Sequence, residues 1–130
     1  MRDLTKYRLE TAQEHLELSK IALENGYFKG SINRSYYSIF SAARALLSED
    51  YVDFKKHSAV ISYFRREYVK AGVFDAKFSD YIGDAFDFRN ACDYADFFIA
   101  SRQQAQEQYE HATEFCAAVK KFLEAADENR

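Results

Sequence analysis

The chain has 130 residues, no proline, only four glycines and a net charge of −3, so we expect one domain, residues 1–130, that buries its own core. The charge excludes broad, non-specific adhesion to nucleic acid or to an anionic membrane, although it is compatible with a local basic site. No uncharged stretch approaches the roughly 20 residues that span a bilayer, and the N-terminus lacks the apolar core of a signal peptide, so we expect a cytoplasmic protein without a membrane partner.

Apolar residues recur at helical spacing along nearly the whole chain. Because few residues break this pattern, it predicts an all-α antiparallel bundle of four to five helices. The first helix is expected at about Leu4–Asn25, with Asp3 or Thr5 as its cap and Gly26 as its stop. The second helix follows this glycine and continues to about Ser48.

One face of the second helix mixes small and polar residues and is a candidate contact surface. Small side chains allow another helix to approach closely, and arginines lie at the edge of this face. The candidate binding residues here are Arg34, Tyr37 and Arg44. A glycine-rich phosphate loop is not predicted, because Gly26 and Gly30 are not followed by the lysine that such a loop requires.

A polar connection leads to a third helix, predicted from a Ser58 cap to a stop at Gly72. His57 lies at the start of this helix. It could cap the helix, bind an anion together with Lys55 and Lys56, or simply be exposed. The pattern leaves these three interpretations of His57 open.

The fourth predicted helix, residues 78–96, carries Arg89 inside its apolar stripe. A guanidinium is costly to bury unpaired, so this arginine needs a carboxylate, a partner chain or a ligand phosphate. Asp93, one turn later, is the nearest carboxylate. Two interpretations therefore remain: an internal Arg89–Asp93 pair that orients the helix, or a functional arginine at the mouth of a groove.

The end of the chain holds an apolar run and a fifth helix. The run Phe97–Ile99 has more apolar surface than one helical face can bury, so we expect a bend or a partner chain there. The fifth helix begins at Ser101, which forms a predicted capping box with Gln104. The core of the domain should cover about residues 4–126, and residues 127–130 are expected to form a frayed tail.

The sequence predicts neither a metal site nor a cofactor. Helical bundles that bind two metal ions use Glu-x-x-His pairs, and none of the three histidines has a glutamate three residues before it. Cys92 and Cys116 are isolated and fall on apolar stripes, which is typical of reduced core residues. No motif for an acyl-transfer nucleophile is present.

Three segments resemble the HEPN domain, the small helical domain of prokaryotic nucleotidyltransferase-associated proteins. They are NRSYYSIFSAARALL, KKHSAVISYF and FRNACDY, and the resemblance covers roughly residues 8–122. It implies a bundle of four or five helices that forms a homodimer and is often paired with a minimal nucleotidyltransferase as a toxin and antitoxin. Many such proteins are metal-independent ribonucleases with an arginine, an adjacent polar residue, and a histidine four to six residues beyond that polar residue.

Arg89 and Asn90 match the first two positions of that nuclease motif, whereas the histidine, which would fall at residues 94–96, is missing. In such a ribonuclease the arginine would stabilise charge on the scissile phosphate and the histidine would assist proton transfer. Tyrosine, with an ordinary pKa near ~10, is a poor base at neutral pH. The resemblance thus gives Arg89, Asn90, Asp93 and Tyr94 as candidate catalytic residues.

The leading prediction is a dimeric HEPN protein with a degenerate nuclease motif that binds RNA, a nucleotide phosphate or a partner nucleotidyltransferase through Arg89. The first alternative is an active ribonuclease toxin that uses Arg89 with a non-histidine partner, and to which the fold brings His57. The second is a structural adaptor that docks another protein through Phe97–Ile99. No DNA partner is expected, and the sequence leaves open whether the protein is an enzyme.

Overall fold

Five helices make up the computed structural model, which describes residues 1–129 and contains no strand within that range. Helix α3 continues directly into a π-helical segment. The helices and this segment are α1 (Asp3–Glu24), α2 (Phe28–Glu49), α3 (His57–Phe64), the π-helical segment (Arg65–Lys70), α4 (Lys77–Tyr94) and α5 (Arg102–Glu128). The prediction of an all-α helical bundle is confirmed. Within the described residues, no helix is both long and apolar enough to cross a membrane.

Helix α2 is the central helix and contacts each of the other four. Its fully buried side chains, among them Tyr36, Ile39 and Leu46, lie on several sides of the helix. A helix that is apolar on most of its circumference has to be covered on all of those sides. The core around α2 also includes Phe64 from α3 and Phe115 from α5.

Helices α1 and α2 are joined by buried hydroxyl groups. The Oγ of Ser19 lies 2.7 Å from the Oγ of Ser35 and 3.0 Å from the Oγ of Ser31. Ser19 also donates to the backbone oxygen of Ser31 at 2.9 Å. Each of these buried polar groups has a partner, so the small side chains allow close helix packing without the cost of an unsatisfied hydroxyl.

The start of α1 differs from the predicted cap. Its N-cap is Arg2, which has no side-chain capping bond, and Asp3 lies inside the helix. Thr5 is buried, and its hydroxyl shares a 2.9 Å hydrogen bond with the hydroxyl of Ser48 at the end of α2. The backbone N–H of Arg2 donates to Glu49. Contacts to α2 therefore replace the local cap, and both predicted cap residues are wrong.

The start of α3 also differs from the prediction. The helix begins at His57, one residue before Ser58, and its N-cap is Lys56. His57 is held by contacts to α2, and this anchor places Ser58 inside the helix, so the predicted Ser58 cap is wrong. The helical conformation ends near Gly72, whose φ of +85° is accessible to glycine at little cost, as predicted.

The connection between α4 and α5 bends at its start and ends in a capping box, and both features match the prediction. Helix α4 ends at Tyr94, and the chain bends through Phe97, which has a φ of +61°. Phe97 is 99% exposed and Ile99 is 85% exposed, while Phe98 packs against a small apolar cluster. The predicted capping box at Ser101 is present in full.

Helix α5 extends into the stretch predicted to be frayed. It continues to Glu128, and the carboxylate of Asp127 accepts a 2.6 Å hydrogen bond from the amino group of Met1. This contact between the two ends of the chain holds residues 127 and 128 in the helix, and the composition of these residues does not reveal it. Position 130, the last of the predicted tail, lies outside the described residues.

Candidate functional site

Consecutive tyrosines on α2 form the base of the candidate site. Tyr36 is fully buried, whereas Tyr37 is half-buried, and their rings meet edge to face at 5.1 Å. One turn later, Phe40 stacks on the ring of His57 with the centroids 4.2 Å apart. Since adjacent residues on a helix point about 100° apart, one tyrosine belongs to the core and the other reaches the surface.

The guanidinium of Arg89 lies against both tyrosines. Its Cζ is 5.7 Å from the centroid of the Tyr36 ring and 5.5 Å from that of Tyr37. Nη2 donates to the Tyr37 hydroxyl at 2.9 Å, and Nη1 donates to Oδ1 of Asn90 at 3.2 Å. Nε lies 3.1 Å from Oδ2 of Asp93, an ion contact whose direction is too oblique for a hydrogen bond.

The Arg89–Asp93 pair suggested by the i, i+4 spacing is therefore present. The Arg89 side chain is 17% exposed and that of Asp93 is 30% exposed, so the pair lies at the edge of the bundle and not in its core. A guanidinium has five N–H groups. One N–H on each Nη of Arg89 has no acceptor among residues 1–129.

The fold brings His57 into the same aromatic cluster. Its Nδ1 lies 2.7 Å from the hydroxyl oxygen of Tyr36. Burial, then the positive charges of Arg89 and Arg44, lower the pKa of His57 below its ordinary value of 6.5. The imidazole is thus neutral at pH 7, and its nearness to Arg89 is a property of the fold that no sequence motif displays.

The tautomer of His57 follows from the hydrogen bond that the buried hydroxyl of Tyr36 has to donate. Burial raises the pKa of the Tyr36 phenol, so this group keeps its proton. That proton has no acceptor other than His57 Nδ1 in the part of the chain that is described. The pair is best satisfied when the hydroxyl donates to Nδ1, which leaves the imidazole proton on Nε2. His57 can then donate a hydrogen bond to a ligand.

A cleft of about 430 Å³ lies beside His57, between α2 and the connection that precedes α3. The residues that line it are Phe40, Arg44, Asp53, Phe54, Lys55 and His57. Nη2 of Arg44 donates to both carboxylate oxygens of Asp53 at 3.3 Å. Burial opposes ionisation of Asp53, but the charges of Arg44 and Arg8 outweigh it, and the pKa of Asp53 is lowered.

Two polar contacts flank the site on the side of α1. Nδ2 of Asn33 donates to Oδ1 of Asp93 at 3.3 Å, and Nη1 of Arg34 donates to Nδ1 of His15 at 3.1 Å. The His15 ring is 5.8 Å from that of Tyr37. Burial, followed by the charge of Arg34, lowers the pKa of His15. His15 is not among the residues predicted for the site, and only the packing of α1 on α2 reveals its contacts.

All eight candidate residues belong to one connected set of contacts. The members are Arg34, Tyr37, Arg44, His57, Arg89, Asn90, Asp93 and Tyr94. Tyr94 is 75% exposed, yet its ring centroid lies 6.0 Å from the Arg89 guanidinium carbon. Tyr36 is not among the residues predicted for the site, and its contact to His57 depends on the packing of α3 on α2.

The described residues hold no group of three His, Cys, Asp or Glu side chains close enough together to bind a metal ion. Cys92 and Cys116 form no disulfide. Burial raises the pKa of the Cys116 thiol to about 11, and its Sγ lies 3.0 Å from the hydroxyl of Ser38. These thiols are therefore poor nucleophiles at neutral pH.

Comparisons with known proteins agree on one family. The model of the HEPN domain matches residues 5–122. A protein of Methanocaldococcus jannaschii named "Putative toxin MJ0142" is 30% identical over 122 residues, which cover 94% of this chain and 82% of that protein. A "UPF0332 protein" of Thermotoga maritima is 29% identical over 121 residues, 93% of this chain and 92% of that protein. A second Methanocaldococcus jannaschii protein, "Putative toxin MJ0605", is 34% identical over 86 residues, 66% of this chain and 64% of its own length.

Proposed function

The chain belongs to the HEPN domain family, and we propose that it is a toxin-like member that binds the phosphate backbone of RNA at Arg89. The observation that carries this proposal is the fixed position of Arg89 at the edge of the bundle. Contacts to Tyr37, Asn90 and Asp93 hold the guanidinium, and two of its N–H groups have no acceptor among the described residues. A planar guanidinium with two such donors fits two phosphate oxygens.

The surroundings of Arg89 strengthen its attraction for an anion. The tyrosine rings beneath it exclude water from one side, and charge interactions are stronger where water is excluded. Arg44 and His57 line a neighbouring cleft, and their N–H groups are further candidate donors to phosphate. The net charge of −3 for the whole chain limits such binding to this region.

The tautomer of His57 favours binding over catalysis. A general base needs an unprotonated nitrogen within reach of the proton that it removes. With the Tyr36 hydroxyl donating to Nδ1, the nitrogen that faces a ligand carries a proton and cannot act as a base. Tyr94 occupies one of the positions of the missing histidine, but a tyrosine is a weak base at neutral pH. Asp93 lies one residue before those positions.

A metal-independent ribonuclease is the second candidate, and one observation favours it. His57 and Arg89 both contact Tyr36, so an imidazole is close to the arginine even though the motif histidine is missing. The lowered pKa keeps this imidazole neutral near pH 7. Catalysis would require the other tautomer, with the proton on Nδ1 and the lone pair on Nε2.

The partners of this protein are also part of the proposal. We expect a homodimer and a minimal nucleotidyltransferase partner, in line with the relatives named as toxins. The exposed side chains of Phe97 and Ile99 provide an apolar surface for one of these contacts. A purely structural adaptor that docks a protein through this loop is the remaining alternative.

The test compares RNA binding and cleavage by four purified proteins: wild type, Arg89→Ala, Arg89→Lys and Lys121→Ala. Lys121 is exposed on α5, so its variant removes one positive charge away from the site. We expect Arg89→Ala to weaken binding of a labelled single-stranded RNA at least tenfold, Arg89→Lys to weaken it less, and Lys121→Ala to leave it unchanged. Circular dichroism verifies that each variant is folded.

Two results would contradict the proposal: wild-type protein that does not bind the RNA, or equal binding by wild type and Arg89→Ala. The same samples and a His57→Ala variant, incubated with a chelator, test the second candidate. Cleavage that is lost in both Arg89→Ala and His57→Ala would establish the ribonuclease. Binding without cleavage would leave the phosphate-binding function.

A further inference from the structure

The cleft beside His57 combines an aromatic wall with positive charge. Phe40 and His57 contribute a stacked pair of rings, and Phe54 lines the cleft from the connection before α3. Phe54 is 38% exposed, and its ring centroid lies 5.9 Å from that of Tyr63. A large apolar ring left this open on a connection is available to stack on another flat group.

Two cations line the same cleft. Lys55 forms no ion pair within residues 1–129, so its ammonium is available to a ligand. Asp53 is shared between Arg8 and Arg44, with contacts of 3.2 and 3.3 Å. One carboxylate thus faces two guanidiniums, and the Nε of Arg44 is buried without a hydrogen-bond partner. The cleft retains positive charge that is not compensated by the protein.

Size and position complete the argument. The volume of about 430 Å³ suits a group of the size of one nucleotide. Rings connect the cleft to the arginine site: Phe40 stacks on His57, His57 bonds to Tyr36, and Tyr36 contacts Arg89. The buried ring of Tyr36 thus holds His57, which lines the cleft, near Arg89, so a strand whose phosphate lies at Arg89 passes close to the cleft.

We propose that the cleft is a subsite for one unpaired nucleotide of RNA. The base stacks on Phe54, and its phosphate contacts Lys55 and Arg44. The inference rests on the proposed function, because it assumes that the strand also passes Arg89. It specifies the substrate class as single-stranded RNA, since a base inside a duplex is paired and stacked and cannot present its face to Phe54.

The experiment measures the fluorescence anisotropy of two labelled RNA probes. One is a ten-nucleotide single strand, and the other is a hairpin whose stem pairs the same ten nucleotides with their complement. The proteins are wild type, Phe54→Ala, Phe54→Tyr, and the control Tyr27→Ala, which removes an exposed ring from the connection between α1 and α2. We expect Phe54→Ala to weaken single-strand binding about tenfold, the range that one base–ring stack provides. Phe54→Tyr should bind like wild type, and Tyr27→Ala should have no effect.

A second readout tests the phosphate contact. Binding of a single strand depends on salt with a slope of about 0.7 per phosphate contact, so Lys55→Ala should reduce the slope by about that amount. Lys56→Ala is the matched control, because the adjacent Lys56 does not line the cleft. An unchanged slope for Lys55→Ala would overturn the phosphate assignment.

The outcomes separate the two proposals. If wild type binds RNA and Arg89→Ala weakens it while Phe54→Ala does not, the subsite is overturned and the proposed function stands. Equal weakening of single strand and duplex by Phe54→Ala would also overturn the subsite. If Phe54→Ala weakens binding and Arg89→Ala does not, the cleft binds RNA and the role of Arg89 is overturned. No binding by wild type overturns both.

Discussion

The hydroxyl of Tyr36 lies 2.7 Å from Nδ1 of His57, so a fully buried phenol and the imidazole at the start of α3 satisfy each other. The same ring lies 5.7 Å from the guanidinium carbon of Arg89. One core side chain thus sets the position of two residues that are 32 positions apart in sequence. Five predictions follow from this site and from the bundle that holds it.

Tyr36→Phe should destabilise the protein by about 1–2 kcal/mol, because His57 Nδ1 loses its hydrogen bond inside the bundle. Urea unfolding gives the value. Tyr63→Phe is the control: its hydroxyl donates to Asp50, which also accepts a bond from Tyr68, so the loss should be below about 0.5 kcal/mol. Equal losses for the two variants would show that the buried Tyr36–His57 hydrogen bond contributes no more to the free energy of unfolding than the exposed Tyr63–Asp50 bond.

Nuclear magnetic resonance tests the tautomer directly. A long-range ¹H–¹⁵N spectrum of the wild-type protein at pH 7.5 should show His57 as the Nε2–H tautomer. Its Nδ1 should have the chemical shift of an acceptor nitrogen. A proton on Nδ1 instead would reverse the direction of the bond to Tyr36 and would favour the ribonuclease.

Arg89→Ala should lower the free energy of unfolding by about 2 kcal/mol, between the values for exposed and fully buried pairs, since both partners are partly exposed. Part of this loss arises because Asp93 keeps its charge without Arg89. The double variant Arg89→Ala/Asp93→Asn should therefore regain about 1 kcal/mol. A double variant that is less stable than Arg89→Ala would show that the charge of Asp93 does not need Arg89 to compensate it.

Stability should fall as the pH decreases from about 7.5 to 5. The folded-state pKa values of His57 and His15 both lie below the ordinary 6.5, so the unfolded chain binds more protons in this window. The loss begins near pH 6.5 and is complete below the folded-state pKa values. His57→Gln should flatten the dependence, and adding His15→Gln should flatten it further, in urea unfolding at half-unit pH steps. An identical pH slope for wild type and the double variant would contradict the burial of these imidazoles.

Ser101→Ala should cost about 1 kcal/mol, because it removes the side-chain half of the capping box at the start of α5. Ser62→Ala, at an exposed position inside α3, is the matched control and should be neutral or slightly stabilising, since alanine favours helix interiors. Thermal unfolding should show a lower midpoint for the first variant only. The same midpoint for both would mean that contacts elsewhere fix the start of α5.

Much of the fold can be predicted from local chemistry. Helical spacing of apolar residues predicts the bundle, and glycines at positions 26 and 72 predict two helix ends, because each adopts a positive φ. The Ser101 capping box and the Arg89–Asp93 pair are also local, formed by residues three or four positions apart. Within such distances the helix itself brings the partners together.

Features that depend on contacts between helices could not be predicted in this way. Thr5 looks like a cap in sequence, but its hydroxyl meets Ser48, 43 residues away. His57 had three open interpretations until the packing of α3 on α2 placed it beside Tyr36. The π-helical turns of Arg65–Lys70 have no signal in the composition, and we have no physical account of them.

The central position of α2 limits which substitutions this protein can accept as it evolves. Residues such as Tyr36 and Phe40 serve the core and the site at once, so most substitutions there would disturb packing against several helices. Phe54 and Lys55 lie on the connection between α2 and α3, outside the helices, so they line the cleft without forming part of the helical core. New ligand preferences can therefore arise on the connection by single substitutions, while the α2 surface is restricted to changes that also preserve the bundle.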